Sequence, residues 1–327
     1  MQRRIFLQAT GAVCAGWAAG IRPALAASES ALPAGPITVI VPFTAGGPTD
    51  TSTRAIMRRV QEDTGISFIV ENKPGGGTRI GTDALVRAAP DGRTLALVTN
   101  NLAANETLYK GQLRYRLNTD LAPVSFTHSV AHTLLVHPSV PADTFEAFIA
   151  YAKQNPGKLA FGSAGVGTTN HLCGEYLKAT AGIDMLHVPY QGISALMPDL
   201  YSGRVQVLFA SLNTALDSVR DNRLKLLAVT TEKRQVQAPD VPAISEFYPG
   251  FAFASWIGYA APGATPSPII ERLSIELNKA IQAPELKTLL QDQGFEPQGT
   301  TPAQFREYID RQVAMSAKII ESANIKI

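Results

Sequence analysis

Two turns of similar sequence, more than a hundred residues apart, limit what this chain can fold into. The first, Ala45-Gly46-Gly47-Pro48-Thr49-Asp50, follows the β-branched run "PITVIVPF" (36–43) and opens "DTSTRAIMRRVQEDTG" (50–65), a helix that Gly65 ends. The second, Ala164-Gly165-Val166-Gly167-Thr168-Thr169-Asn170, has one extra residue and lies inside "KLAFGSAGVGTTNHLCGEYLKATAG" (158–182). Both have the order strand, Gly-rich turn, helix. Two similar half-structures are expected, each offering a helix N-terminus. If the halves face each other, an anion between them meets backbone N–H donors from both sides.

The rest of the chain alternates in the same way, which is the pattern of α/β architecture. "SFIVENKPGGG" (67–77) reads as a strand entering a Gly-rich loop, and "RIGTDALVRAAPDG" as a short helix stopped by Pro90. "RTLALVTN" (93–100) and "HTLLVHPS" (132–139) are strands, and Thr144 begins a helix that reaches about Asn155. Further strands are expected at 185–190, 205–212 and 224–231, a helix at "ISALMPDLYSG", a long helix at 267–282 and another closing the chain. No tandem repeat of solenoid type is visible.

The first turn lacks the Gly-Lys-Ser/Thr ending of a phosphate loop and the G-x-G-x-x-G spacing of a dinucleotide site. No Lys or Arg stands between Phe43 and Asp50, so a multiply charged phosphate finds little countercharge. A carboxylate suits the turn better, with one charge and acceptors that match N–H groups and a Thr hydroxyl. A plain βα turn with Pro48 in the first helical position accounts for the same residues equally well. Asp50 either caps the helix or faces a ligand amine, hydroxyl or water.

"GSAGVGTT" (162–169) carries the same two readings, with Ser163, Thr168 and Thr169 as hydroxyl donors. His171 and Glu175 stand four apart on the following helix, a spacing that could share a metal but more often marks a solvated pair. Cys173 reads as a buried small hydrophobe. Asn100 and Asn101 stand just past a strand's carboxyl end, where open α/β sheets bind ligands, although turn formation also explains them. No nucleophile–base set, no metal set and no cofactor motif stands out. Ser163 in "FGSAGVG" comes nearest to a nucleophile, without the elbow spacing.

The N-terminus places the protein outside the cytoplasm. Arg3-Arg4-Ile5-Phe6-Leu7, an uncharged segment to Gly20 and Ala24-Leu25-Ala26 compose an export signal cut after Ala26, either of twin-arginine type or an ordinary secretory signal that contains two arginines. Cys14 leaves with it, so the mature chain keeps only Cys173 and forms no internal disulfide. The 29 Lys+Arg and 27 Asp+Glu of the whole chain become 26 and 27 once Arg3, Arg4 and Arg22 are removed, a net charge of −1. No basic cluster with interleaved aromatics appears, which argues against nucleic acid as a partner.

Several blocks together resemble one family: "PFTAGGPTD", "VENKPGGGTRIGTDALVRAAPDGRTLALV", "GSAGVGTTNHLCGEYLKATAGIDMLHVPYQG" and "RQVQAPDVPAISE…PGFAFASWIGYAAPGATP". Their order and spacing, from about Pro36 to the C-terminus, are similar to the substrate-binding proteins of tripartite tricarboxylate transporters, often called Bug proteins. The resemblance implies a two-domain Venus-flytrap fold, each domain a mixed, mostly parallel sheet flanked by helices. It implies domains at 27–127 plus 252–327 and at 128–251, after the signal peptide at 1–26. It also implies a periplasmic, monomeric, non-catalytic receptor that holds a small carboxylate, without cofactor, and delivers it to inner-membrane transporter subunits.

Carried residue by residue, the first jaw is Phe43, Ala45, Gly46, Gly47, Thr49 and Asp50. The second is Ser163, Ala164, Gly165, Gly167, Thr168 and Thr169, with Asn100, Asn101, Tyr190, Phe209 and Ala210 lining the rest. The chain departs from the family pattern at Thr53-Arg54, where Ala-Arg is usual, and at Arg93-Thr94, where Tyr-Thr is common; neither lies in a jaw. Two other readings stay open: an exported hydrolase centred on Ser163 or on His171 and Glu175, and a ligand sensor for a signalling partner.

Overall fold

The computed structural model describes residues 32–220 and 222–326. The export signal, its cut after Ala26 and Cys14 lie outside the described residues. The chain begins β1 (Ile37–Val41), α1 (Pro48–Thr64), β2 (Phe68–Asn72), α2 (Arg79–Val86), β3 (Thr94–Thr99), α3 (Asn100–Leu108), α4 (Leu117–Asp120) and β4 (Leu121–Val136). It continues α5 (Phe145–Gln154), β5 (Leu159–Ser163), α6 (Thr169–Ala181), β6 (Met185–Pro189), α7 (Ile193–Tyr201), β7 (Val207–Ser211), α8 (Leu212–Arg220) and β8 (Lys225–Val229). Last come β9 (Ala254–Pro262), α9 (Ser267–Gln282), α10 (Pro284–Asp292), β10 (Phe295–Pro297) and α11 (Pro302–Ser322).

The strands follow the order β2-β1-β3-β9-β4-β7-β5-β6, with β10 and β8 also paired to β4. β1 lies between β2 and β3 and runs parallel to both; β5 lies between β6 and β7 and is parallel to both. The two turns thus leave equivalent places, the centre of each parallel trio. β9 and β4 run antiparallel between the trios. The first part of β4, Leu121 to Ala131, pairs with β9, and its last part, His132 to Val136, with β7. One strand therefore belongs to both halves.

Local chemistry explains the elements that carry the site. β1 is β-branched and buried along almost its whole length, as a strand covered on both faces must be. α1 turns Ile56, Met57 and Val60 onto one side of the sheet, where they meet Leu273 and Leu277 of α9 in the same core cluster. Each fully buried side chain of that size contributes about 1.5–3 kcal/mol. Gly65 ends α1 in the left-handed region, its N–H donating to the Gln61 carbonyl at 2.8 Å. In the second half, Leu172, Cys173 and Leu177 of α6 pack with Phe161 of β5, and α11 adds Ile319 and Ile320 to that cluster. Phe305 and Ile309, earlier in α11, lie in a first-half cluster with Trp256, so α11 is anchored in both halves.

Three elements differ from the sequence expectation. Asn100 and Asn101 open α3 instead of a loop, with the Thr99 hydroxyl accepting from the Asn101 N–H. α8 starts at Leu212, where a strand was expected to end. β4 begins at Leu121, eleven residues before the expected 132. Its early residues include Pro123, Ser125, Thr127 and His128, which hide the strand's burial from a hydropathy reading. In the fold each polar side chain has a partner. Ser125 Oγ donates to Asn278 Oδ1 at 2.6 Å, Thr127 Oγ1 to the Ile257 carbonyl at 3.1 Å, and His128 Nε2 meets Ser52 Oγ at 3.2 Å.

Candidate functional site

The first turn is held from behind by Asp50. Its Oδ2 accepts the Gly46 N–H at 2.9 Å and Arg54 Nε at 3.0 Å, and its Oδ1 accepts Asn72 Nδ2 at 3.0 Å. Asn72 Nδ2 also donates to the Phe43 carbonyl, so both ends of the turn are tied to one buried carboxylate. Burial alone would raise the Asp50 carboxyl, but the bonds from Arg54, Gly46 and Asn72 outweigh it and hold it below the usual carboxylate range. Gly46 needs its φ of 78°, a left-handed value that a side chain resists. Thr53, outside the turn, still acts on it: its hydroxyl donates to the Thr49 carbonyl at 2.7 Å and accepts from Tyr259 Oη at 3.0 Å.

The second turn is held by a different set. Ser163 Oγ donates to the Gly165 carbonyl and accepts the Gly165 N–H, and it lies 2.7 Å from His187 Nε2. The Thr168 hydroxyl donates to the Gly165 carbonyl at 2.7 Å. Gly167, at φ 77°, donates its N–H to His171 Nδ1 at 3.0 Å, which fixes that ring as neutral at Nδ1. The rings of His171 and His187 stack with centroids 3.7 Å apart. Burial, with further repulsion from charged neighbours, pushes their pKa values down to about 3 and about 4. His171 and Glu175 are buried, not the solvated pair the spacing suggested; His171 Nε2 lies 3.9 Å from Glu175 Oε1, which pairs with Lys178 at 3.0 Å. Ser163 is fully buried, with its hydroxyl engaged inside the turn, and does not line the cavity below.

Both helix starts open onto one cavity of about 440 Å³. Phe43, Pro48 and Thr49 line it from the first turn, and Ala164, Thr168, Thr169 and Asn170 from the second. Neither α1 nor α6 is capped by a side chain. Pro48 has no N–H and the Asp50 N–H donates to the Gly47 carbonyl at 3.0 Å, so α1 leaves the Thr49 N–H for a bound anion, while α6 leaves the N–H groups of its first turn. Asn100, Asn101 and Ala210 are also in the wall. The amide of Asn100 is committed elsewhere, however, donating to the Ala254 carbonyl and accepting from the Trp256 N–H. Asn101, whose Oδ1 accepts the Thr99 hydroxyl at 3.4 Å, and Gln293, whose buried Oε1 has no partner among the described residues, are the other amides of the wall.

Ala45, Gly46, Gly47, Asp50, Gly165 and Gly167 shape the turns without lining the cavity. Tyr190 turns to Asp199, donating to its Oδ2 at 2.8 Å. The Phe209 side chain is in the core, and its carbonyl accepts Asn170 Nδ2, anchoring α6 to β7.

The sequence reading missed the floor of the cavity. Val130 and His132 stand two apart on β4, Ser255 and Ile257 two apart on β9, and each pair shares a face. Ile193, Asn213 and Phe295 add to the wall. His132 Nε2 lies 2.7 Å from Ser255 Oγ, while its Nδ1 has no partner of hydrogen-bond geometry. Burial holds its ring neutral, with a pKa of about 4, although the nearby Phe209 carbonyl offsets part of that effect. Among the described residues, no Lys, Arg, Asp or Glu lines the cavity, and no group of His, Cys, Asp and Glu is arranged to hold a metal.

Two parallel trios joined through shared strands, with paired uncapped helix starts at a neutral cavity, define the class of two-domain solute receptors. The chain belongs to the tripartite tricarboxylate transporter family receptors, whose profile matches residues 53–325. It is 35% identical over 314 residues to a UPF0065 protein encoded between tcbD and tcbE in Pseudomonas sp. strain P51, covering 92% of each chain. Among solved structures, R. palustris Rpa4515 with adipate superposes with a TM-score of 0.78 at 31% identity, over 90% of this chain and 99% of that one. MatC of Rhodopseudomonas palustris with bound malate gives a TM-score of 0.74 at 27% identity, over 88% of this chain and 100% of that one. The family is one of periplasmic solute receptors and not of enzymes.

Proposed function

We propose that the chain binds a small carboxylate between Phe43–Thr49 and Ala164–Thr169 and delivers it to inner-membrane transporter subunits. The observation that carries this reading is the pair of helix starts, neither capped by a side chain, on one cavity whose wall, among the described residues, holds no Lys, Arg, Asp or Glu. Such a place stabilises one diffuse negative charge through N–H and hydroxyl donors. The adipate and malate held by the solved relatives support it. The receptor works in the periplasm as a monomer after cleavage near Ala26, with domains at 27–127 plus 252–327 and at 128–251. The ligand favours closure because it touches both domains at once, so its affinity differs between open and closed forms. Asp50, Gly46, Gly47, Ser163, Gly165 and Gly167 serve by fixing the turns.

The test is a thermal-shift screen of ligand-stripped protein against small acids and their primary amides. A binding acid present at a hundredfold excess over its Kd stabilises the fold by about 2.7 kcal/mol. Acids should raise the melting temperature and their amides should not. Equal shifts from both, or none from any acid, would exclude a carboxylate receptor.

A further inference from the structure

We infer that Asn213 is a positioning residue: by bonding across one side of the cavity it holds the two halves of the receptor near their ligand-binding orientation before any ligand arrives. Asn213 stands at the start of α8, in the second half, and Gln293 and Gly294 stand at the end of α10, in the first. Asn213 Nδ2 donates to the Gln293 carbonyl. That carbonyl is a fitting acceptor, because the N–H groups beside it turn back into α10, from Gln293 to the Leu289 and Leu290 carbonyls and from Gly294 to the Gln291 carbonyl. What α10 presents to α8 is therefore its negative pole, and what α8 presents in return is its positive one.

Gly294 makes the approach possible. Its φ of 73° ends α10 in the left-handed region, and a Cβ there would run into the Asn213 amide. The register places the contact beside the crossing between the halves. Phe295, which follows Gly294, pairs with Val130, and Ser211, two residues before Asn213, pairs with His132. Between those two positions β4 exchanges β9 for β7 as its partner. A rotation of the halves about that place moves the two sides of the contact relative to each other, and a hydrogen bond survives only a narrow range of distance and angle. The bond thus selects one orientation among those the crossing strands allow. Asn213 and Gln293 both line the cavity, so the orientation selected is one in which the two turns share it with them. A ligand entering between the turns meets halves already brought together, and less of its binding energy goes into closure.

The test is a distance measured without ligand, so its outcome does not depend on the carboxylate reading. Spin labels at Lys153→Cys on α5 and Glu271→Cys on α9, both exposed positions, report the separation of the halves, and the fully buried Cys173 stays unlabelled. In the ligand-free protein Asn213→Ala should move the distribution towards longer distances. Gly294→Ala, which leaves Asn213 in place but obstructs it, should do the same. The double variant should open no further than the stronger single one, since both remove one contact. Acids that bind should lose about fivefold in affinity to Asn213→Ala, all by a similar factor, which is the worth of one net hydrogen bond. An unchanged ligand-free distribution in Asn213→Ala overturns the inference and leaves the carboxylate receptor intact. An affinity loss confined to particular acids overturns it too, since Asn213 would then act as a ligand contact. If no acid binds either protein, the carboxylate reading fails and the distances still decide the role of Asn213. Should Gly294→Ala not fold, Asn213→Ala decides alone.

Discussion

Asp50 takes three hydrogen bonds on its two oxygens, from Gly46, Arg54 and Asn72, and none of its atoms lines the cavity. The sequence left open whether it caps its helix or touches a ligand. The geometry supports neither in simple form: the carboxylate reaches back to the turn and sideways to β2, so it positions the N–H groups of a turn that an anion would meet. Asp50→Asn replaces one acceptor oxygen with a donor that must face the Gly46 N–H, Arg54 or Asn72. Losing a buried, charge-assisted bond of this kind costs about 1–3 kcal/mol. Affinity for every acid should therefore fall by a similar factor, about tenfold, because the jaw loosens for all ligands alike. Titrations with plain, hydroxylated and amine-bearing acids check this. A loss confined to hydroxylated or amine-bearing acids would instead mean that Asp50 contacts the ligand.

At the scale of elements, the β1–α1 and β5–α6 units were legible because their signals are local. β-branched runs, positive-φ glycines and amphipathic helices need no knowledge of partners. The cavity floor was not legible, since it depends on which strands β4 meets; Ser125, Thr127 and His128 are buried only because Asn278, Ile257 and Ser52 lie opposite. The same limit hid the role of Gly174 on α6. A Cβ there would lie 2.3 Å from Cε2 of Phe161, a ring that is fully buried and packed against His187 at 4.9 Å between centroids. Gly174→Ala should destabilise the protein by about 1–3 kcal/mol through overpacking. It should also weaken ligand binding, because α6 carries Thr169 and Asn170 into the cavity wall. Chemical denaturation and titration of the same sample measure both effects; unchanged stability would mean that α6 shifts freely over β5.

For the whole molecule, the consequence is a dependence of stability on acid. His128 and His132 lie in β4, which joins the two halves, and both rings are fully or almost fully buried. Burial drives their pKa values down to about 3 and about 4, against 6.5 for an unhindered histidine. The native state therefore binds fewer protons than the unfolded state between about pH 6.5 and 4, so stability is full above that window and falls as the pH drops through it. Well inside the window each such histidine removes about 1.4 kcal/mol per pH unit, and the pair about 3 kcal/mol. Against a typical total of about 5–15 kcal/mol, that loss is large enough to lower the melting temperature steeply. His171 and His187, also depressed by burial, act in the same direction at the second turn. Melting curves from pH 7.5 to 4.5 should show the decline, and His128→Gln, which cannot titrate, should make it shallower whatever its effect on stability at pH 7.5. A melting temperature constant across that range, or an unchanged slope in the variant, would show that these rings gain protons in the folded protein as readily as in the unfolded chain.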